Sequence, residues 1–256
     1  MLKKVFAFFL CLVLVLSSAN IGLAKDNTQG LPEVDGIYDV PGHPKLKLKV
    51  IVHKAKPVKP SPTPTPTNCS VSDPDSIAEV ATTGWHLPSN WTYSLSVNSA
   101  PAGVRSNLPV IAQNSFTAWS GNTGGLVNFT RGADTSITSQ AFDGQNIVAW
   151  NKVTNTALAI TYTWYDVTTG LVAENDTIMN KRYSWSWTPY SLTACVDSNF
   201  DAQDILTHEI GHWMGLQDAY DTAFVDNTMY GYGNLSEIKK DTLTTGDIAG
   251  LNRIYY

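Results

Sequence analysis

The 256-residue sequence predicts an α+β fold: a twisted, mostly parallel sheet, a cleft, and a small C-terminal lobe that ends in a helix. Three observations support this prediction. Segments that alternate apolar and polar residues, which is typical of half-buried strands, lie before residue 181. A helix with a clear N-terminal signal begins near residue 201, and a second capped helix closes the chain. Residues 68–256 are numerous enough to bury one core of their own.

Periodicity predicts the strands and the first helix. Residues 91–97 and 157–165 alternate as strands, and residues 112–119 carry apolar side chains at helical spacing. A turn over residues 166–170 separates the second strand from a returning strand over residues 171–180. The second strand predicts one apolar face, formed by Leu158, Ile160, Tyr162 and Trp164.

Capping residues predict where the last two helices begin. Asp201 precedes the apolar pair Ile205 and Leu206, so it is a suitable N-cap. Thr244 and Asp247 have the spacing of a capping box. Three residues at helical spacing then predict the inner face of the last helix: Ile248, Leu251 and Ile254.

The most specific pattern in the chain is HExxHxxGxxD, which begins at His208. His208 and His212 are four residues apart and therefore share one face of a helix, where two imidazoles can bind one Zn²⁺. Glu209 lies too far round the helix to join them as a ligand. It is close enough to act as general base on a zinc-bound water.

A catalytic zinc site needs a third protein ligand and one open position. Gly215 can take the left-handed conformation that ends a helix, so the chain can fold back and present Asp218. Glu237 and Asp221 are weaker alternatives for the third ligand. The remaining histidines are not expected to be ligands: His43 and His53 fall in a linker-like region, and His86 is expected to be packed or on the surface.

The extended motif resembles that of the metzincin zinc proteases, and the residues after it resemble the matrixins in particular. Met229 lies where metzincins carry a Met-turn beneath the zinc ligands, and residues 243–255 resemble the end of a matrixin catalytic domain. The resemblance implies a metzincin-like zinc protease fold in which α-helical residues 208–212 form the active site. It also implies one catalytic Zn²⁺ on His208, His212 and Asp218. Tyr230 and Tyr232 become candidates for the substrate pocket.

The N-terminus has the features of a secretory signal peptide over residues 1–24. Lys3 and Lys4 precede an apolar run over residues 5–16, which is too short to span a bilayer. We therefore expect an exported monomer that has no membrane anchor after signal cleavage. Residues 68–256 hold eight basic and 18 acidic residues, and this charge argues against nucleic acid as a partner.

Residues 25–67 are predicted to be a short pro-region or a Pro/Thr-rich spacer, which leaves residues 68–256 as the catalytic domain. Residues 45–52 of this region could form one strand. Cys69 and Cys195 are an even pair and predict one disulfide outside the cytoplasm. Cys69 could instead cap the zinc, although the Pro-Arg-Cys-Gly motif that matrixins use for this purpose is absent.

The leading functional prediction is a secreted zinc endopeptidase that acts on proteins or peptides. An inactive secreted binding or adhesion module on the same scaffold is the alternative, but it would not need Glu209. A purely structural zinc protein fits less well, because closed sites commonly use Cys and none lies near the motif. Ca²⁺ is a further candidate ion, yet none of the acidic loop residues has a recognisable calcium spacing: Asp73, Asp75, Asp143 and Asp166.

Overall fold

One mixed β-sheet and two long helices organise the computed structural model, which describes residues 30–57, 73–154, 156–188 and 199–256. The strands are β1 (Gly36–Asp39), β2 (Leu46–Ala55), β3 (Asn90–Leu95), β4 (Asn128–Arg131), β5 (Ile147–Asn151), β6 (Ala157–Asp166), β7 (Val172–Asn180), β8 (Trp185–Ser186), β9 (Phe200–Asp201) and β10 (Tyr232–Gly233). The helices are α1 (Ala102–Arg105), α2 (Leu108–Ser120), α3 (Ala202–Trp213) and α4 (Thr245–Tyr255). Short 3₁₀ helices cover Val97–Ser99, Thr222–Phe224 and Lys239–Asp241.

Within these residues the main sheet has the strand order β1-β2-β6-β7-β5-β3-β4, and β10 pairs with β2. Strands β4, β3, β5 and β7 pair in parallel, whereas β6 runs antiparallel to β7 and β2 runs antiparallel to β6. Helices α2 and α3 pack against each other, and α4 ends the chain. The prediction of an α+β fold with a sheet, an active-site helix and a C-terminal helix is confirmed.

Strand β2 lies before residue 68, where the catalytic domain was predicted to begin. Residues 25–67 were predicted to be a short pro-region or a Pro/Thr-rich spacer, and within them β2 is an interior strand of the same sheet as β6 and β7. Leu48, Val50 and Val52 are buried on one face of the sheet, while Ile51 packs in the core on the helical side. The position of β2 was missed because it depends on a distant part of the chain. Alternation within residues 46–55 predicts a strand, but only the pairing of that strand with β6 makes it part of the domain.

The alternation predicted for β6 holds for Ile160, Tyr162 and Trp164, which pack in one cluster with β2. Leu158 was predicted to share this face but packs in the other cluster, beneath α2 and α3. The pairing of β2 with β6 shifts register between His53 and Lys54, close to Leu158, and such an irregularity rotates the side chains that follow it.

Helix α3 is fixed at both ends by local chemistry. Its predicted N-cap is confirmed, because the Asp201 carboxylate accepts hydrogen bonds from the N–H groups of Gln203 and Asp204. Trp119 of α2 donates its indole N–H to the Thr207 carbonyl, which locks the two helices together. Just past the helix, Gly215 has a φ of 101°, a left-handed conformation in which a Cβ would overlap the Trp85 carbonyl oxygen.

We expect Gly215→Ala to lower the free energy of unfolding by about 2 kcal/mol or more, since it adds left-handed strain to a steric overlap. Urea unfolding followed by circular dichroism would measure the change. Gly84→Ala is the matched control, because Gly84 also has a positive φ (96°) but open space around it. Equal losses in the two variants would contradict a role for the contact with Trp85.

Candidate metal centre and active site

Two histidines of α3 and one carboxylate beyond its end converge on a single point. The rings of His208 and His212 are perpendicular, with centroids 4.8 Å apart. Asp218 Oδ1 lies 3.0 Å from His208 Nε2 and 3.5 Å from His212 Nε2. The left-handed turn at Gly215 returns the chain toward α3, so that Asp218 reaches both imidazoles. The structure thus brings together the three residues that the motif predicted.

Backbone carbonyls fix the orientation of both imidazoles. His208 Nδ1 lies 2.7 Å from the Thr228 carbonyl oxygen, and His212 Nδ1 lies 2.9 Å from the Leu216 carbonyl oxygen. A carbonyl can only accept, so each Nδ1 carries the proton and each Nε2 keeps its lone pair. Both lone pairs are therefore available to a cation beside Asp218.

The three converging atoms fit a metal ion. His208 Nε2, His212 Nε2 and Asp218 Oδ1 are buried and have no hydrogen-bond partner among the described residues. Leaving such atoms unpaired in the interior is costly, whereas a cation would satisfy all three. Tyr220 donates its hydroxyl to Asp218 Oδ2 at 2.9 Å, so the second oxygen is occupied and Oδ1 remains available. Two nitrogens and one oxygen suit Zn²⁺.

Burial and mutual charge interactions shift the pKa values of all three groups. Burial lowers the pKa of His208 to about 4, which keeps its ring neutral. Burial also works to lower the pKa of His212, but the neighbouring Asp218 carboxylate outweighs it and raises that pKa. Despite its own burial, Asp218 has a pKa well below its usual range, because His212 and His208 stabilise the ionised form. Ionised Asp218 and neutral His208 are in the protonation states that metal binding requires, whereas His212, with its raised pKa, must be in its neutral form when a cation binds.

The two alternative third ligands lie elsewhere. Glu237 accepts hydrogen bonds from Asn234 and pairs with Lys239 at 3.2 Å. Asp221 caps the 3₁₀ helix at Thr222 by accepting from the Ala223 N–H. Neither belongs to the clusters of potential metal ligands found among the described residues. The same holds for His43 and His86, and for the four acidic residues considered for calcium, Asp73, Asp75, Asp143 and Asp166.

Glu209 is fully buried, and a donor faces each of its carboxylate oxygens. Thr161 of β6 donates its hydroxyl to Oε2 at 2.6 Å. Thr177 and then Trp213 extend this chain: the Trp213 indole N–H donates to the Thr177 hydroxyl, which lies 2.7 Å from the Thr161 hydroxyl. Burial raises the pKa of Glu209 to about 7. The network thus holds a carboxylate whose proton affinity is suited to proton transfer near neutral pH.

His53 contacts the other oxygen of Glu209, Oε1. The sequence predicted that His53 lies in a linker-like region, and that prediction is wrong. His53 is fully buried, its Nδ1 lies 3.0 Å from Glu209 Oε1, and its ring stacks on His208 with centroids 3.8 Å apart. Nothing local in the sequence could have identified it, because Glu209 is 156 residues away along the chain.

Met229 is fully buried against α3, where a Cβ on Gly211 would overlap its sulfur atom. Asp247 fixes this segment, since its carboxylate accepts from the N–H groups of Thr228 and Met229 at 2.9 and 3.2 Å. The same carboxylate completes the predicted capping box with Thr244 at the start of α4. One buried side chain therefore links α4 to the segment whose Thr228 carbonyl orients His208.

The two tyrosines predicted for the pocket occupy different positions. Tyr232 lines a cavity of about 580 Å³ together with Asp218 and Tyr220. Tyr230 is buried, does not line that cavity, and contributes its carbonyl oxygen to a hydrogen bond from Lys240 Nζ at 2.7 Å. Sequence reasoning missed Tyr220, which contacts Asp218 two residues earlier in the chain, and Lys240, which contacts His53.

Two further predictions fall largely outside the described residues. The signal peptide over residues 1–24 lies there, as do both cysteines of the predicted disulfide, Cys69 and Cys195. Among the residues that are described, no helix combines the length and the apolar character needed to cross a membrane.

Comparison with known families agrees with this geometry. The profile of the matrixin family, Peptidase M10, matches residues 84–256, which is more than half of the chain. The match includes α2, α3, the three converging residues and α4, but begins after β1 and β2. A search of curated proteins found no match. With two thirds of its length matched by one family, this chain belongs to the matrixins, which are zinc metalloendopeptidases of the metzincin type.

Proposed function

We propose that the chain is a secreted endopeptidase in which His208, His212 and Asp218 hold one zinc ion and Glu209 moves the proton. The observation that carries this proposal is the convergence of three buried ligand atoms that have no hydrogen-bond partner among the described residues: Asp218 Oδ1 lies 3.0 and 3.5 Å from the two Nε2 atoms, beside the buried Glu209 carboxylate. A zinc ion held there supplies a Lewis acid that polarises the peptide carbonyl and lowers the pKa of water.

The residues of the chain account for the proton transfers. Glu209 takes a proton from the attacking water while the water oxygen bonds to the carbonyl carbon. The C–N bond then breaks, and Glu209 returns the proton to the leaving amine. Thr161 contacts Oε2 and His53 contacts Oε1, so one of these two contacts has to open when Glu209 exchanges the proton. A pKa of about 7 allows the same group to accept and release a proton near neutral pH.

Export is proposed from the N-terminus alone. Lys3 and Lys4 precede the apolar run of residues 5–16, a pattern typical of signal peptides. Detection of a mature protein in the culture medium, with its new N-terminus near residue 25, would support export. Retention of the full-length chain inside the host cell would contradict it.

Chelation tests the need for metal. We expect 1,10-phenanthroline to lower cleavage of casein or a quenched peptide at least about 100-fold, and added Zn²⁺ to restore it, because the Lewis acid contributes several kcal/mol. The assay uses the full chain both intact and after cleavage between residues 57 and 73. Cleavage that survives complete chelation would remove metal from the mechanism. A zinc-loaded, folded protein that cleaves nothing in either form would favour a binding module.

A further inference from the structure

The two oxygens of the Asp218 carboxylate face different partners. Oδ1 lies against the Nε2 atoms of His208 and His212, whereas Oδ2 accepts the hydroxyl of Tyr220 at 2.9 Å. A carboxylate can bind a cation through one oxygen or through both. The hydrogen bond from Tyr220 therefore directs one oxygen toward the two imidazoles and holds the other oxygen on a protein donor.

The backbone around Ala219 holds Asp218 and Tyr220 in place. The Ala219 N–H donates to the Met229 carbonyl, and the Gly231 N–H donates to the Ala219 carbonyl, both at 2.9 Å. This short parallel bridge joins the segment after α3 to the segment that carries Met229. Because Asp218 and Tyr220 flank Ala219, the same two hydrogen bonds restrain both residues.

The ring of Tyr220 is enclosed on two sides. A Cβ on Gly231 would overlap this ring, so the absence of a side chain there makes room for it. Gly231 does not have a positive φ, and its backbone would accept other residues. On the other side, Tyr232 packs edge-to-face against Tyr220, with ring centroids 5.1 Å apart. These contacts restrict the direction in which the Tyr220 hydroxyl points.

A role as a simple wall of the cavity would not need that hydroxyl. Tyr220 lines the cavity of about 580 Å³ beside Asp218, and 43% of its surface is exposed. The ring alone can provide such a wall. The hydroxyl, by contrast, donates to Oδ2 of Asp218, and removal of one oxygen atom separates the two roles.

We propose that Tyr220 is a positioning residue that restricts Asp218 to binding zinc through Oδ1 alone. The inference rests on the proposed function, in which His208, His212 and Asp218 hold the ion. A hydrolytic zinc site has three protein ligands and keeps one coordination position open. A second oxygen from Asp218 would fill that position with protein, so the Tyr220 hydroxyl preserves the place where water binds.

The experiment compares the parent chain with Tyr220→Phe, with Co²⁺ as a spectroscopic substitute for Zn²⁺. The geometry around such a metal is diagnostic of its ligands, and visible absorption of Co²⁺ weakens as a fourth ligand is joined by a fifth. We expect the absorption of Tyr220→Phe to fall to about half of the parent value or less. X-ray absorption of the zinc forms should show one additional oxygen neighbour in the variant.

Peptide hydrolysis supplies a second measurement. With zinc bound, kcat of Tyr220→Phe should fall about 10- to 100-fold, the range for residues that orient a metal ligand, while KM changes little. The assay uses the full chain both intact and after cleavage between residues 57 and 73. A change in KM alone would assign Tyr220 to the wall of the cavity and overturn the proposal.

Two further variants separate the hydroxyl from the packing around it. Gly231→Ala keeps the hydroxyl but displaces the Tyr220 ring, so it should change the cobalt spectrum in the same direction as Tyr220→Phe. Tyr232→Phe is the matched control, because it removes a hydroxyl from the neighbouring ring, while the hydrogen bond to Asp218 comes from Tyr220. The control should keep the cobalt spectrum of the parent.

Three spectroscopic results would also overturn the proposal: a parent-like cobalt spectrum in Tyr220→Phe with metal bound, an equal change in Tyr232→Phe, or loss of the metal from Tyr220→Phe. The last would make Tyr220 a residue that strengthens binding rather than one that restricts Asp218. Failure of the proposed function is distinguishable, because the parent chain itself would then bind neither Zn²⁺ nor Co²⁺, or its cleavage of peptides would resist chelation.

Discussion

Glu209→Gln is expected to lower kcat for peptide hydrolysis about 10²- to 10⁴-fold, the range that general acid–base catalysis contributes. The substitution keeps the shape of the side chain and an acceptor for the Thr161 hydroxyl, but it removes the group that accepts the proton. Glutamine cannot titrate, so the variant should also lose the pH dependence that Glu209 gives near its pKa of about 7. Steady-state kinetics with a quenched peptide, on cut protein, would measure both effects.

The test compares the peptidase activity and the zinc content of Glu209→Gln with those of the parent protein. Glu209 is not one of the three converging ligands, so Glu209→Gln should retain the zinc content of the parent protein. Glu79→Gln is a surface control, because Glu79 pairs with Arg253 away from the site. Near-parent activity in Glu209→Gln, with zinc bound and the fold intact, would reject Glu209 as the general base.

Asp218→Ala is expected to weaken zinc binding by more than about 100-fold, since even outer-shell partners of a metal contribute about 10- to 100-fold. The variant keeps both imidazoles but loses the anionic group that contacts their Nε2 atoms. Added Zn²⁺ should raise the thermal midpoint of the parent protein and have little effect on the variant, because stabilisation follows the occupancy of the native site.

Asp221→Ala is the matched control for the third ligand. It makes the same change three residues further along, at a residue that caps a 3₁₀ helix. It should lose a little stability and keep its zinc affinity. Elemental analysis after dialysis against a weak chelator, together with thermal unfolding, would compare the two variants. Zinc loss from Asp221→Ala but not from Asp218→Ala would reverse the assignment.

The parts of the fold that local chemistry controls were predictable from the sequence. Asp201 caps α3 and Thr244 caps α4 because each side chain reaches an N–H two or three residues away. The approach of Asp218 to the histidines was equally predictable, because the left-handed turn at Gly215 sets its direction. These features need no information from distant parts of the chain.

Most of the missed features depend on long-range contacts. The position of His53 against Glu209 follows from β2 pairing with β6, more than one hundred residues later in the chain. Its flanking lysines and the following proline-rich stretch favour a solvated linker when they are considered alone. Lys240 belongs to the same class, because it meets His53 from 187 residues away. Tyr220 differs: it contacts Asp218 only two residues away, and no known motif marks that spacing.

Asp247 also affects when the metal site can form during protein synthesis. Its carboxylate organises Thr228 and Met229 while it starts α4, the final 11-residue helix. The imidazole of His208 depends on the Thr228 carbonyl for its orientation. A nascent chain that stops before Asp247 therefore has every proposed ligand but lacks the carboxylate that orders Thr228 and Met229. We expect ion capture to follow the synthesis of α4 rather than the synthesis of the ligands.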